Sequence, residues 1–282
     1  MRSGIAGLDH VIVAVRDLEA ARRGWERLGF TTTPRGRHVG PASANYCIMF
    51  PEDYIELLAP APDGDRPERL AAFLRHREGL MAAAFAPSGN AAQARAALLA
   101  AGVHPNEPQA LGRHIDLPEG AATARFSLLT LPAEETPGLD CFICGHLTPE
   151  LVRRPDWLRH PNGAGGVRGL YVLVADTATL LPAYDRLLGL HQVTTTDAVA
   201  SVRIGNHRIV FLTPDDFLTM HPGLDLDPDL PLPAIVALEL RVAQIEETAA
   251  YLDRAGVSVL NLGGGIAVPP REANGAYLFF TG

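Results

Sequence analysis

The feature that most constrains this chain is a unit that occurs four times. GLDHVIVAVRDLEAARRGWERLGF (7–30) reads as a strand, then a helix capped by Asp17, then a stop at Gly29. Leu18, Ala21, Trp25 and Leu28 supply the apolar stripe of that helix. LMAAAFAPSGNAAQARAALLAAGV (80–103) repeats the layout, with Ala91, Ala94, Leu98 and Ala101 in the stripe. LYVLVADTATLLPAYDRLLGL (170–190) and AIVALELRVAQIEETAAYLDRAGV (234–257) repeat it again. Each copy closes on glycine and an apolar residue: Gly29-Phe30, Gly102-Val103, Gly189-Leu190 and Gly256-Val257. Two or three short alternating segments follow each helix, such as TTTPRGRH, ANYCIMF and DYIELLAP after the first. The interval between copies exceeds the short periods of stacked solenoids. The pattern predicts an α+β fold of four β-α-β-β-β modules paired into two domains, rather than a Rossmann-type alternation. Pro and Gly break the chain at WLRHPNGAGGVRG (157–169). The expected division is a first domain over 1–156, a linker over 157–168 and a second domain over 169–282.

With 282 residues, 47% apolar and 20% charged, the chain can bury the cores that two such domains need. A net charge of -8, with no Lys/Arg-rich run, argues against a nucleic-acid partner. No secretory signal and no membrane-length apolar segment is visible, and three cysteines are too few for a disulfide framework. A soluble, cytoplasmic protein with a small-molecule partner is expected. Four units in one chain can pair among themselves, so a homodimer is compatible with the pattern but not required.

His10 interrupts a strand whose two faces, Leu8/Ile12/Ala14 and Val11/Val13/Val15, both look buried. Glu56 interrupts a second apolar strand, YIELLAP (54–60), and a buried carboxylate needs a cation or several donors. A neutral imidazole beside a carboxylate suits a borderline divalent metal.

LDHVIVAVRDL and YIELLAP, together with RGRH (35–38), FICGHLTPE (142–150) and HPNGA (160–164), give the chain a resemblance to the vicinal oxygen chelate superfamily. That group includes glyoxalase I, the extradiol dioxygenases and the bleomycin-resistance proteins; the sequence is most similar to its glyoxalase-like domain proteins. The resemblance implies cups that hold a divalent metal (Zn, Mn, Ni or Fe) through the first and last strands of the units. His10 matches the first-strand ligand and Glu56 the last-strand carboxylate. The second unit departs from glyoxalase I, with Ala83 at the place matching His10 and no carboxylate after Asp140. Its last strand ends in His146, ahead of a helix start at Thr148-Pro149-Glu150. His10, Glu56 and His146 are therefore the expected metal ligands, a two-histidine, one-carboxylate set. Extradiol dioxygenases ligate iron in their second half, where this chain has Gly169, Ala237 and Phe279, so the second half is expected to be metal-free.

Gly-Arg-His occurs at 36–38 and again at 112–114, each time ahead of the third strand of its unit. Arg37, His38, Arg113 and His114 offer cations and proton carriers to an anionic substrate such as an oxo acid; the plain alternative is exposed hairpin chemistry. Asn45, Tyr46 and Tyr54 are candidates to line a pocket. Cys141 and Cys144 stand three apart in a strand, on opposite faces, and are read as core. Gly263-Gly264-Gly265 opens no helix and so cradles no phosphate, and His160-Pro161-Asn162-Gly163 reads as a tight turn. The expected function is a metal-dependent, glyoxalase-like lyase, isomerase or dioxygenase acting on a small oxygenated metabolite chelated through two oxygens. His38 or Glu56 would act as the base. The alternative is a non-catalytic binding protein of the bleomycin-resistance type, favoured by Ala83 and disfavoured by the His10–Glu56 pair.

Overall fold

Alternating apolar residues form two eight-stranded sheets in the computed structural model, which describes residues 3–64 and 67–282. The first sheet contains β1 (Ile5–Ala14), β2 (Gly36–Val39), β3 (Ser43–Met49), β4 (Tyr54–Pro60), β5 (Gly79–Pro87), β6 (Gln109–Leu117), β7 (Gly120–Thr130) and β8 (Cys141–His146). The second contains β9 (Ala164–Leu173), β10 (Val193–Thr195), β11 (Val199–Ile204), β12 (His207–Leu212), β13 (Ala234–Val242), β14 (Leu260–Leu262), β15 (Gly265–Val268) and β16 (Tyr277–Thr281). The helices are α1 (Leu18–Arg27), α2 (Glu68–His76), α3 (Ala91–Ala100), α4 (Leu181–Leu188), α5 (Pro214–Met220) and α6 (Ile245–Arg254).

The sequence signals that set α1 are visible in its caps. Asp17 accepts from the Ala20 amide, Gly29 takes φ 87°, and Leu18, Ala21 and Trp25 are buried. In the first sheet the strand order β1-β4-β3-β2-β6-β7-β8-β5 closes into a barrel. The closing seam pairs β2 with β6, and β1 meets β5 antiparallel on the other side. The second sheet, β10-β11-β12-β9-β13-β16-β15-β14, stays open with β10 and β14 as its edges. Its central antiparallel pair, β9 with β13, matches β1 with β5.

Two helices lie outside the repeat read from the sequence. α2 joins β4 to β5, and α5 joins β12 to β13. α5 starts on a Thr213 cap and Pro214, and it drives Phe217 into a cluster with Tyr171, Leu173, Val210, Leu212, Tyr277 and Phe279. One end of the second sheet's cup is thereby filled with protein. A larger apolar cluster runs between the sheets, with Trp25 and Phe30 from the first half and Leu170, Tyr184 and Phe280 from the second.

Candidate active site

The barrel interior is built by strand alternation, interrupted where β1 and β5 slip register. On β1, Leu8 pairs with Phe85 and His10 with Ala84, so Asp9 is an extra residue in a β-bulge. The bulge brings Asp9 to the His10 side. His10 Nδ1 lies 2.7 Å from Asp9 Oδ2, and His146 Nε2 lies 3.0 Å from Asp9 Oδ1. Arg153 approaches the same carboxylate at 3.5 Å. Asp9 is only 3% exposed. Tyr54, level with His10 on β4, stacks on the imidazole at 4.4 Å between centroids, and Phe142 meets its edge.

Glu56, two residues along β4 from Tyr54, is the second anion of the interior. His10 Nε2 stands 3.7 Å from Glu56 Oε2, and His38 Nε2 stands 3.6 Å from Glu56 Oε1. Both separations are too long for hydrogen bonds. Asn45 Nδ2 donates to Glu56 Oε1. His38 is fixed through Nδ1 against Ser43 Oγ at 2.9 Å. Arg113 lies buried, donating to Cys47 Sγ at 2.8 Å beside the Phe126 ring, with its Nε unpartnered. These groups surround a cavity of about 140 Å3, with Ile12, Leu58, Leu111 and Leu128 as apolar wall. That is well below the roughly 300–1,000 Å3 usual for drug-sized ligands, so the cavity suits a very small molecule.

Electrostatics divides the two carboxylates by their neighbours. Burial raises Asp9, but hydrogen bonds from His10 and His146 hold it far below the ordinary carboxylate range. Burial also pushes Glu56 up, and His38, His10, the Asn45 amide and Arg113 together hold it below its ordinary value. Burial depresses His38, against the pull of Glu56, so at neutral pH it is a neutral imidazole beside an ionised carboxylate. Cys47 is pushed up to about 11 by burial and Cys144 is pushed up well above its ordinary value, so both are thiols.

Register decides the fate of the two Gly-Arg-His motifs. β2 and β6 pair with His38 opposite Arg113 and Arg37 opposite His114. His38 and Arg113 line the cavity, while Arg37 and His114 are exposed on the outer face. Asn45 and Tyr54 face inward as well; Tyr46 turns outward and donates to Glu19. His146 reaches the interior, but its Nε2 is directed to Asp9, so it joins His10 through that carboxylate and not through Glu56. Cys141 and Cys144 do lie on opposite faces, with Cys141 in the core between the sheets and Cys144 on the cavity wall. His160 and Asn162 are structural, holding Thr31, Met49 and Leu28. The counterpart of His10 in the second unit is Ala84, not Ala83, because β1 and β5 pair at that level and Ala83 points to the opposite side.

The donor chemistry fits a divalent metal in two adjoining places. His10 sets Nδ1 against Asp9 and turns Nε2 towards Glu56; carboxylate-backed imidazoles of this kind are typical metal ligands. Among the described residues, Asp9, Cys144 and His146 also bring three donor atoms within 4.8 Å of one another.

A family model described as Glyoxalase-like domain matches residues 8–188, well over half of the chain. The chain belongs to the glyoxalase-like domain family. With it comes membership of the vicinal oxygen chelate superfamily. A hypothetical protein from Staphylococcus aureus has a similar structure over 97% of this chain and 98% of its own, with a TM-score of 0.70 at 12% identity. A fusion of a xylose isomerase-like TIM barrel with 4-hydroxyphenylpyruvate dioxygenase matches over 92% of this chain and 40% of its own, with a TM-score of 0.57 at 15% identity. A triple mutant of 4-hydroxymandelate synthase from Streptomyces coelicolor matches over 93% of this chain and 78% of its own, with a TM-score of 0.51 at 16% identity. At these identities the likeness is one of fold. No curated protein matches the sequence.

Within the glyoxalase-like frame, the two sheets can be compared row by row. Tyr54, His10, Ala84 and Phe142 stand level across β4, β1, β5 and β8. The corresponding row across β12, β9, β13 and β16 is Arg208, Gly169, Glu239 and Phe279. Glu239, rather than Ala237, is thus the fourth unit's residue at the level of Gly169. Among the described residues of the glyoxalase-like chain, no helix is long and apolar enough to cross a membrane.

Proposed function

We propose that this glyoxalase-like protein is a divalent-metal enzyme whose active site is the first barrel, and that it acts on a small oxygenated metabolite bound through two oxygens. The observation that carries the reading is the His10–Glu56 gap. With its Nδ1 against Asp9, His10 turns Nε2 to a Glu56 carboxylate oxygen at 3.7 Å, and both side chains are buried. A ring nitrogen and a carboxylate oxygen so placed suit a shared divalent cation, which His10 and Glu56 would hold. When bound, the metal supplies Lewis acidity to the substrate oxygens.

The chain's own residues do the rest. Arg113, with a spare Nε, receives an anionic substrate group and stabilises developing negative charge. His38, neutral and fixed by Ser43, takes a proton at Nε2 on the cavity side. Leu58, Leu111 and Leu128 exclude water, which strengthens each of these interactions. The three cysteines are free, which fits a reducing compartment, and we take this to be the cytoplasm.

Elemental analysis of protein purified without chelator, beside His10→Ala and His114→Ala, tests the assignment. Near-stoichiometric metal in the parent and His114→Ala, lost in His10→Ala, is the expected result. Metal retained in His10→Ala, or absent throughout, overturns it. Absence throughout favours the second reading, a sequestering protein, for which the missing donor at Ala84 is the specific observation.

A further inference from the structure

The second cup is not wholly filled by α5. Beyond Tyr171, the same side of β9 to β13 opens into a polar groove of about 660 Å3. Arg168, Arg203, Arg208 and Arg241 converge on it, with Gln192 and Thr194 as neutral donors. In a chain of net charge -8, four guanidiniums around one groove stand against the overall balance.

The row comparison explains how the groove arises. Gly169 holds the level that His10 holds in the barrel, and a Cβ there would come within 2.8 Å of Arg208. Its absence lets Arg208 lie across β9 to Glu239, which it grips through Nε at 3.1 Å and Nη2 at 2.7 Å. Thr281 donates to the other oxygen of Glu239, and Arg168 stands 3.9 Å from it. Glu239 is 2% exposed, so its charge lies under the groove floor, committed to its partners. At the edge, Asp53 is held by His207, and Glu52 by Asn206. Among the described residues, no carboxylate lies within ion-pair distance of Arg203 or Arg241.

We infer that this arginine-lined groove is a second ligand site, taking a small dianion of the phosphate-ester or dicarboxylate kind. Planar forked donors match both oxyanion geometries. The groove's volume falls in the range of small-molecule sites, and the net negative charge of the chain disfavours a long polyanion. The site stands apart from the barrel and does not depend on what the barrel binds.

Calorimetric titration of the full-length protein at low ionic strength, with inorganic phosphate and in parallel with malonate, tests the inference. Saturable binding of one ion per chain is expected. Arg203→Gln and Arg241→Gln should each weaken it about fivefold to tenfold, while Arg37→Gln on the outer barrel face and His10→Ala leave it unchanged. Tighter phosphate binding assigns the groove to phosphate esters, and tighter malonate binding assigns it to dicarboxylates. Failure of both anions to saturate, or equal affinity in the parent and the two groove variants, overturns it. Loss of metal from His10→Ala with anion binding intact separates this site from the barrel.

Discussion

Asp9 is the residue on which the barrel's polar groups converge, since His10, His146 and Arg153 all address its carboxylate. Removing one partner from such a buried charge cluster costs about 3–5 kcal/mol. Asp9→Ala should therefore lower the unfolding free energy by about 3 kcal/mol in urea, whereas His114→Ala, on an exposed side chain, should change it by less than about 0.5 kcal/mol. The pH dependence has a definite sign. Asp9 in the folded protein lies below its unfolded value and so does His38, so the unfolded chain binds more protons in acid. Stability should fall first as pH drops below about 6.5, and again below about 4, the unfolded values of the two groups. A flat urea midpoint between neutrality and pH 4 would contradict the His38 assignment, and one that stays flat below pH 4 would contradict that of Asp9. For His38 as the base, His38→Gln should reduce turnover about 10²–10⁴-fold and remove the acid limb of the rate profile. His10 and Glu56 were legible in the sequence because a charge in an apolar strand is conspicuous. Asp9 was not, because a period of two puts it on the other face, and only the bulge undoes that rule.

Elements decide what residue types alone leave open. The tripeptide Gly-Arg-His is identical in β2 and β6, yet one copy gives its histidine to the cavity and the other its arginine. Antiparallel pairing sets His38 against Arg113, a relation that appears only once the two strands are adjacent. The strand-helix-glycine pattern was readable because capping residues and apolar stripes are local. α5 was not, since seven residues are too few for a stripe and it falls between recurring units. Its contribution is large all the same. Phe217 is fully buried against Tyr171, Tyr277 and Phe279. Phe217→Ala should cost about 3–5 kcal/mol by cavity formation, measured by chemical denaturation. The metal proposed for the first barrel should be retained in this variant, because among the described residues no hydrogen bond or ion pair links the barrel's polar groups to α5. Loss of metal in this variant would mean that the second cup shapes the first site.

At the scale of the whole molecule, the two sheets are joined by buried polar contacts as well as by a shared apolar core. Asp53, just ahead of β4 and 1% exposed, accepts from the Val167 amide at 3.0 Å and meets His207 Nε2 at 3.0 Å. His207 Nδ1 in turn accepts from the Leu8 amide at 3.3 Å, next to the bulge that presents Asp9. Nearby, Asn162 binds the carbonyl of Leu28, and Thr248 binds that of Asn162. Trp25 reaches Asn274 across the same boundary. With the core also continuous from Val11 to Phe280, neither sheet can lose its packing while the other keeps its own. Scanning calorimetry should therefore show one transition rather than two. Asp53→Ala strands a buried imidazole and an amide, a loss of about 3 kcal/mol, which in a chain of this size lowers Tm by roughly 5–10 °C. The transition should move as a whole. Two resolved transitions in the parent, with only one displaced by Asp53→Ala, would show that the halves unfold independently and that the contact matters to one of them alone.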